Sequence, residues 1–164
     1  MTRHSLYFLA LILAFASCQQ KEKSYEFENP SMEQMKEGKP VAWDSLGWEV
    51  PARHLVSEQA HSGSRSVSIT SDTASGGSWS TQIALKPYSK YRLTAWIKTQ
   101  DLEPVGSRGR GASLGLSTMD VDRQFFTGTQ DWQQVEYTFQ TGWNDGARGS
   151  LNYASRGPSR GTGW

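Results

Sequence analysis

Apolar and polar residues alternate with a period of two along much of this chain. Over residues 65–70, Val67 and Ile69 fall on one face and serines on the other. Residues 91–98 place Tyr91, Leu93, Ala95 and Ile97 together, with Trp96 on the opposite face. Residues 112–116 and 133–139 repeat the pattern, and Leu151 and Tyr153 begin another such run. A strand turns successive side chains to opposite faces, so one apolar face per segment marks antiparallel sheets covered on one side. Short strands parted by Gly, Pro and Ser turns predict an all-β protein, an antiparallel β-sandwich. Its predicted core holds Val67, Ile69, Tyr91, Leu93, Ile97, Leu114, Leu116, Val135, Tyr137 and Phe139. Long stretches with a 3.6-residue period are absent, and the one helical candidate is a turn over residues 31–37 where Ser31 could cap.

The first residues follow a different rule. A short polar start with Arg3 precedes an apolar run over residues 6–15, too short to span a bilayer as a helix but suited to the core of a signal peptide. Ala16, Ser17 and Cys18 come next, and small residues followed directly by a cysteine resemble the bacterial lipobox. Cys18 is the single cysteine of the chain. The expectation is a signal peptide over residues 1–17, lipidation at Cys18, a polar tether over 18–25 and one β-sandwich domain over 26–164. Acyl chains contribute about 0.8 kcal/mol per buried CH₂, so the lipid would hold the protein on a membrane, in the cell envelope at the outer membrane or cell surface.

Composition narrows the chemistry. A net charge of +1 offers no global field for nucleic acid, and Arg108 and Arg110 in a glycine-rich loop read as solvated, so no nucleic-acid partner is expected. His54 and His61 have no histidine or cysteine at metal-ligand spacing, and neither a nucleophile elbow nor a phosphate loop occurs. Carboxylates are plentiful, but none lies in a pattern that singles out an acid and a base, so no enzyme activity and no catalytic residue is expected of this segment. Seven tryptophans remain. Indole faces stack on the apolar face of a pyranose ring while amides and hydroxyls bond its hydroxyl groups, so exposed aromatics near Gln, Asn and Arg would suit a sugar.

Four stretches in order resemble the carbohydrate-binding modules of families four and nine. Asn29-Pro30-Ser31-Met32-Glu33 with Gly38, Pro40 and Trp43 is similar to their opening motif. Ala60-His61-Ser62-Gly63 through Val67 resembles an internal turn, and residues 85–98 resemble a following turn and strand in which Tyr88 stands where those modules have glycine. Residues 127–139 and 157–164 resemble the closing part. The resemblance implies a galactose-binding-like jelly roll that binds polysaccharide or oligosaccharide without catalysis. It implies sugar contacts at Trp79 and Gln82, with Trp96, Trp143 and Asn152 as further ligand-binding candidates. It also implies a structural calcium ion held by Glu33 and by backbone oxygens around Ser62 and Arg65. In that family Trp164 opens a final strand, so the expectation is that the last strand is missing and that the chain is the N-terminal part of a larger protein, such as a glycoside hydrolase. The alternative is a structural sandwich of a surface lipoprotein without sugar affinity.

Overall fold

The computed structural model describes residues 27–48, 52–116, 123–143 and 149–164, and of residues 48 and 149–158 the backbone alone. The signal peptide, the tether and Cys18 lie outside the described residues. Nine strands are described: β1 (Met35–Lys36), β2 (Lys39–Pro40), β3 (Asp44–Trp48), β4 (Arg53–Ser57), β5 (Ser66–Ile83), β6 (Lys90–Pro104), β7 (Gly111–Leu116), β8 (Gly128–Gln140) and β9 (Gly149–Gly163). No helix occurs among the described residues. The helical candidate at 31–37 is instead a turn leading into the small β1–β2 hairpin, whose Asn29 side chain donates to the carbonyls of Gln34 and Val41 and accepts from Gln34 N. An asparagine that satisfies the backbone this way competes with helix formation.

All strand pairs are antiparallel, and the protein is an all-β sandwich. Its layers are linked through two long strands. The first part of β5 pairs with β4, and the end of β9 pairs with both β5 and β6, which in turn pairs with β8. The second part of β5 pairs with β3 and with the start of β9, which pairs on its other side with β7. Register shifts in β5 at Ser71, Ser75 and Gly77 mark where the two strands pass from one layer to the other, as bulges do in strands that turn a corner.

The core lies between the layers. Val67, Ile69, Ile97, Val135 and Tyr137 come from the first and Trp79, Ala112, Leu114 and Leu116 from the second. Ile97 and Val135 are fully buried, and Leu93, Ala95 and Phe139 are partly buried against the cluster. Tyr91 is half-buried, stacked on Phe139 at 5.5 Å, with its hydroxyl accepting from Lys86 N. The alternation of 91–97 is therefore expressed as read: these residues face inward, and Arg92, Thr94 and Trp96 are exposed on the outer face.

Gly163 pairs with both Ile69 of β5 and Thr99 of β6, and Trp164 exchanges two backbone hydrogen bonds with Lys98. β9 thus runs between β5 and β6. Among the described residues it pairs with neither residues 66–68 of β5 nor residues 90–97 of β6.

Candidate functional site

The outer face of the β6–β8 ribbon carries an aromatic cluster. Trp96 stands opposite Gln134 in register and is 41% exposed. His61, from the β4–β5 loop, lies flat on its indole with ring centroids 3.7 Å apart and planes 10° apart. Trp132 meets the same imidazole edge-on at 6.0 Å. A register shift between Ile97 and Thr99 adds one residue to β8 near Trp132, and such bulges re-aim side chains on the strand that carries them. On the same face are Gln134, opposite Trp96 in register, and Lys98, two residues along β6, which forms an ion pair with Asp131 at 3.2 Å. The Asp131 carboxyl lies below its ordinary value because it accepts from Trp132 N and, next, from Lys98. The arrangement offers an apolar ring edge beside neutral donors and acceptors, with its nearest charges neutralised by each other.

The loop that supplies His61 is held by Glu33. Its carboxylate accepts from Ser64 N (2.7 Å), Ser64 Oγ (2.6 Å) and Arg65 N (3.0 Å). These bonds, led by the Ser64 hydroxyl, lower the Glu33 pKa. Gly63 sits at φ 74°, where a side chain would collide with that carboxylate. Of the expected calcium ligands, Glu33 and Arg65 therefore come together, but as an anion clamped by N–H and O–H donors, with the Arg65 guanidinium 3.5 Å from the Glu33 carbonyl. A carboxylate facing three donors and an arginine is not the surrounding that a calcium ion needs, so the residues present do not fit the ion in this arrangement.

The other expected ligand residues are scattered. Trp79 is 2% exposed, packs edge-on to His54 at 5.5 Å and donates its indole N–H to Ser68 O. It is a core residue and offers no ring to a sugar. Its inward position follows from alternation in β5, which sends Trp79 and Thr81 into the core and leaves Gln82 exposed, so Trp79 and Gln82 lie on opposite faces. Trp143 is 73% exposed and pairs with Tyr88 at 6.2 Å, beyond the far end of the ribbon where Lys90 meets Gln140. Six residues of strand separate Lys90 from Trp96, roughly 20 Å, so Trp143 does not share a site with Trp96. Asn152 stands between Ser80 and Gly115 in the other layer, and its side chain lies outside the described part. The sequence reading missed His61 and Trp132. The signal that could have found them is the register of the ribbon: aligning the alternating runs 91–97 and 133–139 places Trp132 on the face of Trp96.

No family model and no curated protein matches the sequence. Solved structures do. The carbohydrate-binding module TmCBM61 in complex with β-1,4-galactotriose is similar over 77% of this chain and 85% of its own, at 18% identity and TM-score 0.53. The enzymatically active domain of bacteriophage CBA120 tailspike protein 4 is similar over 75% of this chain and 18% of its own, at 12% identity and TM-score 0.55. A family 16 carbohydrate-binding module covers 71% of this chain and 81% of its own, at 20% identity and TM-score 0.48. The first two likenesses establish the fold, the antiparallel β-sandwich found in carbohydrate-binding modules.

Proposed function

We propose that this protein is a non-catalytic carbohydrate-binding module, carried by a cell-envelope lipoprotein and held at the membrane through lipid on Cys18. The observation that carries the reading is Trp96: a large aromatic ring on the solvent face of the β6–β8 ribbon, with Trp132, Gln134 and a paired charge on the same face. Exposed indole beside neutral hydrogen-bonding groups is the chemistry that a pyranose ring needs. A sugar would displace the His61 imidazole from the face of Trp96 and stack there. The carboxylates nearest the cluster support a binding role over hydrolysis, since Asp131 is tied to Lys98 and Glu136 to Arg92.

The anchor rests on the lipobox-like sequence. No helix among the described residues is long and apolar enough to cross a membrane. The reading without sugar affinity draws on one observation, the His61 ring that already covers one face of Trp96. Affinity electrophoresis against xylan, β-glucan, mannan, galactan and pectin tests the choice: retardation by one glycan supports the module, and free migration in all of them supports the structural sandwich.

A further inference from the structure

We infer that the sugar-binding surface extends from Trp96 into a cleft on the same side of the sheet, so that the ligand is an uncharged glycan chain of several residues rather than a single sugar. This rests on the reading of Trp96 as a sugar platform. The cleft encloses about 340 Å³, within the range of roughly 300–1,000 Å³ for small-ligand sites. It is lined by Leu55, Ser68, Thr70, Gln100, Thr162 and Trp164, from four adjacent strands. Gln100 lies on the strand and face of Trp96, four residues on, or about 13 Å away. The Trp164 indole spans from β9 to β4, its N–H donating to Ser57 Oγ at 3.0 Å. Thr70 and Thr162 share a hydrogen bond between their hydroxyls at 3.0 Å, which leaves further lone pairs for a ligand. The exposed Leu55 and the edge of the largely buried Trp164 indole lie beside hydroxyls and an amide in this concave setting.

The cleft is also built at a conformational cost. Asp101 is at φ 50°, a left-handed conformation uncommon outside glycine, and Gly161 across from it is at φ 112°. A side chain at Gly161 would collide with the Asp101 carbonyl, so the close approach requires glycine. Thr129 holds Asp101 in place, accepting from its N–H at 2.9 Å and donating to its carboxylate at 3.0 Å. Here β6 and β9 slip register between Gln100 and Glu103. Strain that the surroundings maintain beside a concave polar surface is a mark of a binding site. The lining residues include Asp101 and no cation, and the Arg53–Asp72 and Lys98–Asp131 pairs neutralise those cations, so the cleft suits an uncharged sugar better than an acidic one.

Calorimetric titration with neutral xylo-, cello-, manno- and galacto-oligosaccharides of two to six residues, and with oligogalacturonates, tests this. For the neutral series that binds, affinity is expected to rise at least tenfold with chain length, and oligogalacturonates are expected to bind more weakly. Gln100→Ala, an exposed substitution that spares the core, and Thr70→Val are expected to remove most of that rise while affinity for the shortest binder stays. Length-independent affinity abolished by Trp96→Ala would overturn the cleft and keep the platform, as would a length dependence untouched by both cleft variants. Tighter binding of oligogalacturonates would overturn the uncharged class. No binding of any member would overturn the platform reading and the cleft with it.

Discussion

The imidazole of His61 lies flat on the indole of Trp96, 3.7 Å between centroids, although 35 residues separate them in the chain. Aromatic pairs contribute about 0.5–1.5 kcal/mol beyond the area they bury. A sugar that takes the covered face must first break that contact. His61→Ala is therefore expected to tighten glycan binding about two- to tenfold, read by calorimetry on the binding glycan. Weaker binding in the variant would show that the imidazole belongs to the platform rather than to its cover.

Trp79 offers the opposite case, a tryptophan whose role is structural. Its indole is buried and hydrogen-bonded to Ser68 O. Trp79→Ala is expected to destabilise the fold by about 3–5 kcal/mol, the usual cost of emptying so large a core site. Denaturant titration measures it. A loss under 1 kcal/mol would contradict the packing described.

His54 links stability to pH. Its Nδ1 is 3.1 Å from Ala52 O, and its Nε2 is buried with no hydrogen-bond partner among the described residues. Burial is the largest influence on its pKa and lowers it below the ordinary 6.5. Below that value the unfolded chain takes up a proton that the folded chain resists. The contribution is therefore intact above pH 6.5 and lost progressively as pH falls through it. His54→Phe is expected to flatten this dependence between pH 7 and pH 5, seen in denaturation midpoints at each pH. An unchanged slope would remove His54 from the account.

Tyr88 is at φ 50°, which a non-glycine residue adopts at a cost of about 1 kcal/mol or more. Glycine stands at this place in the motif the segment resembles. Tyr88→Gly relieves the strain but gives the unfolded chain more freedom, so the expected outcome is between neutral and about 1 kcal/mol of stabilisation. Clear destabilisation would mean that the 6.2 Å contact with Trp143 matters more than the backbone.

Much of the fold was legible in the sequence because a sheet covered on one side writes its orientation as alternation. Ile97 and Val135 face inward and Trp96 faces outward as the pattern requires. The candidate site was less legible for two physical reasons. A tryptophan in a strand reads the same whether buried or exposed, and Trp79 is inward because it keeps the phase of the buried Val67 and Ile69 along β5. His61 and Trp132 meet through the pairing of β6 with β8 and a loop clamped by Glu33, contacts between segments distant in sequence. The meeting of Glu33 with the turn at 62–65 was legible, and its bonds to Ser64 and Arg65 clamp that turn.

The most direct test of the account is the affinity of Trp96→Ala for the glycan that the wild type binds, measured by calorimetry beside circular dichroism and a denaturant titration of the same variant. Trp96 is 41% exposed on the outer face, so its removal is expected to leave the β spectrum and the unfolding midpoint close to those of the wild type. Affinity is expected to fall by a factor of about 10 or more, corresponding to about 1.4 kcal/mol of lost stacking. A folded Trp96→Ala protein that binds the glycan as tightly as the wild type would contradict the central claim.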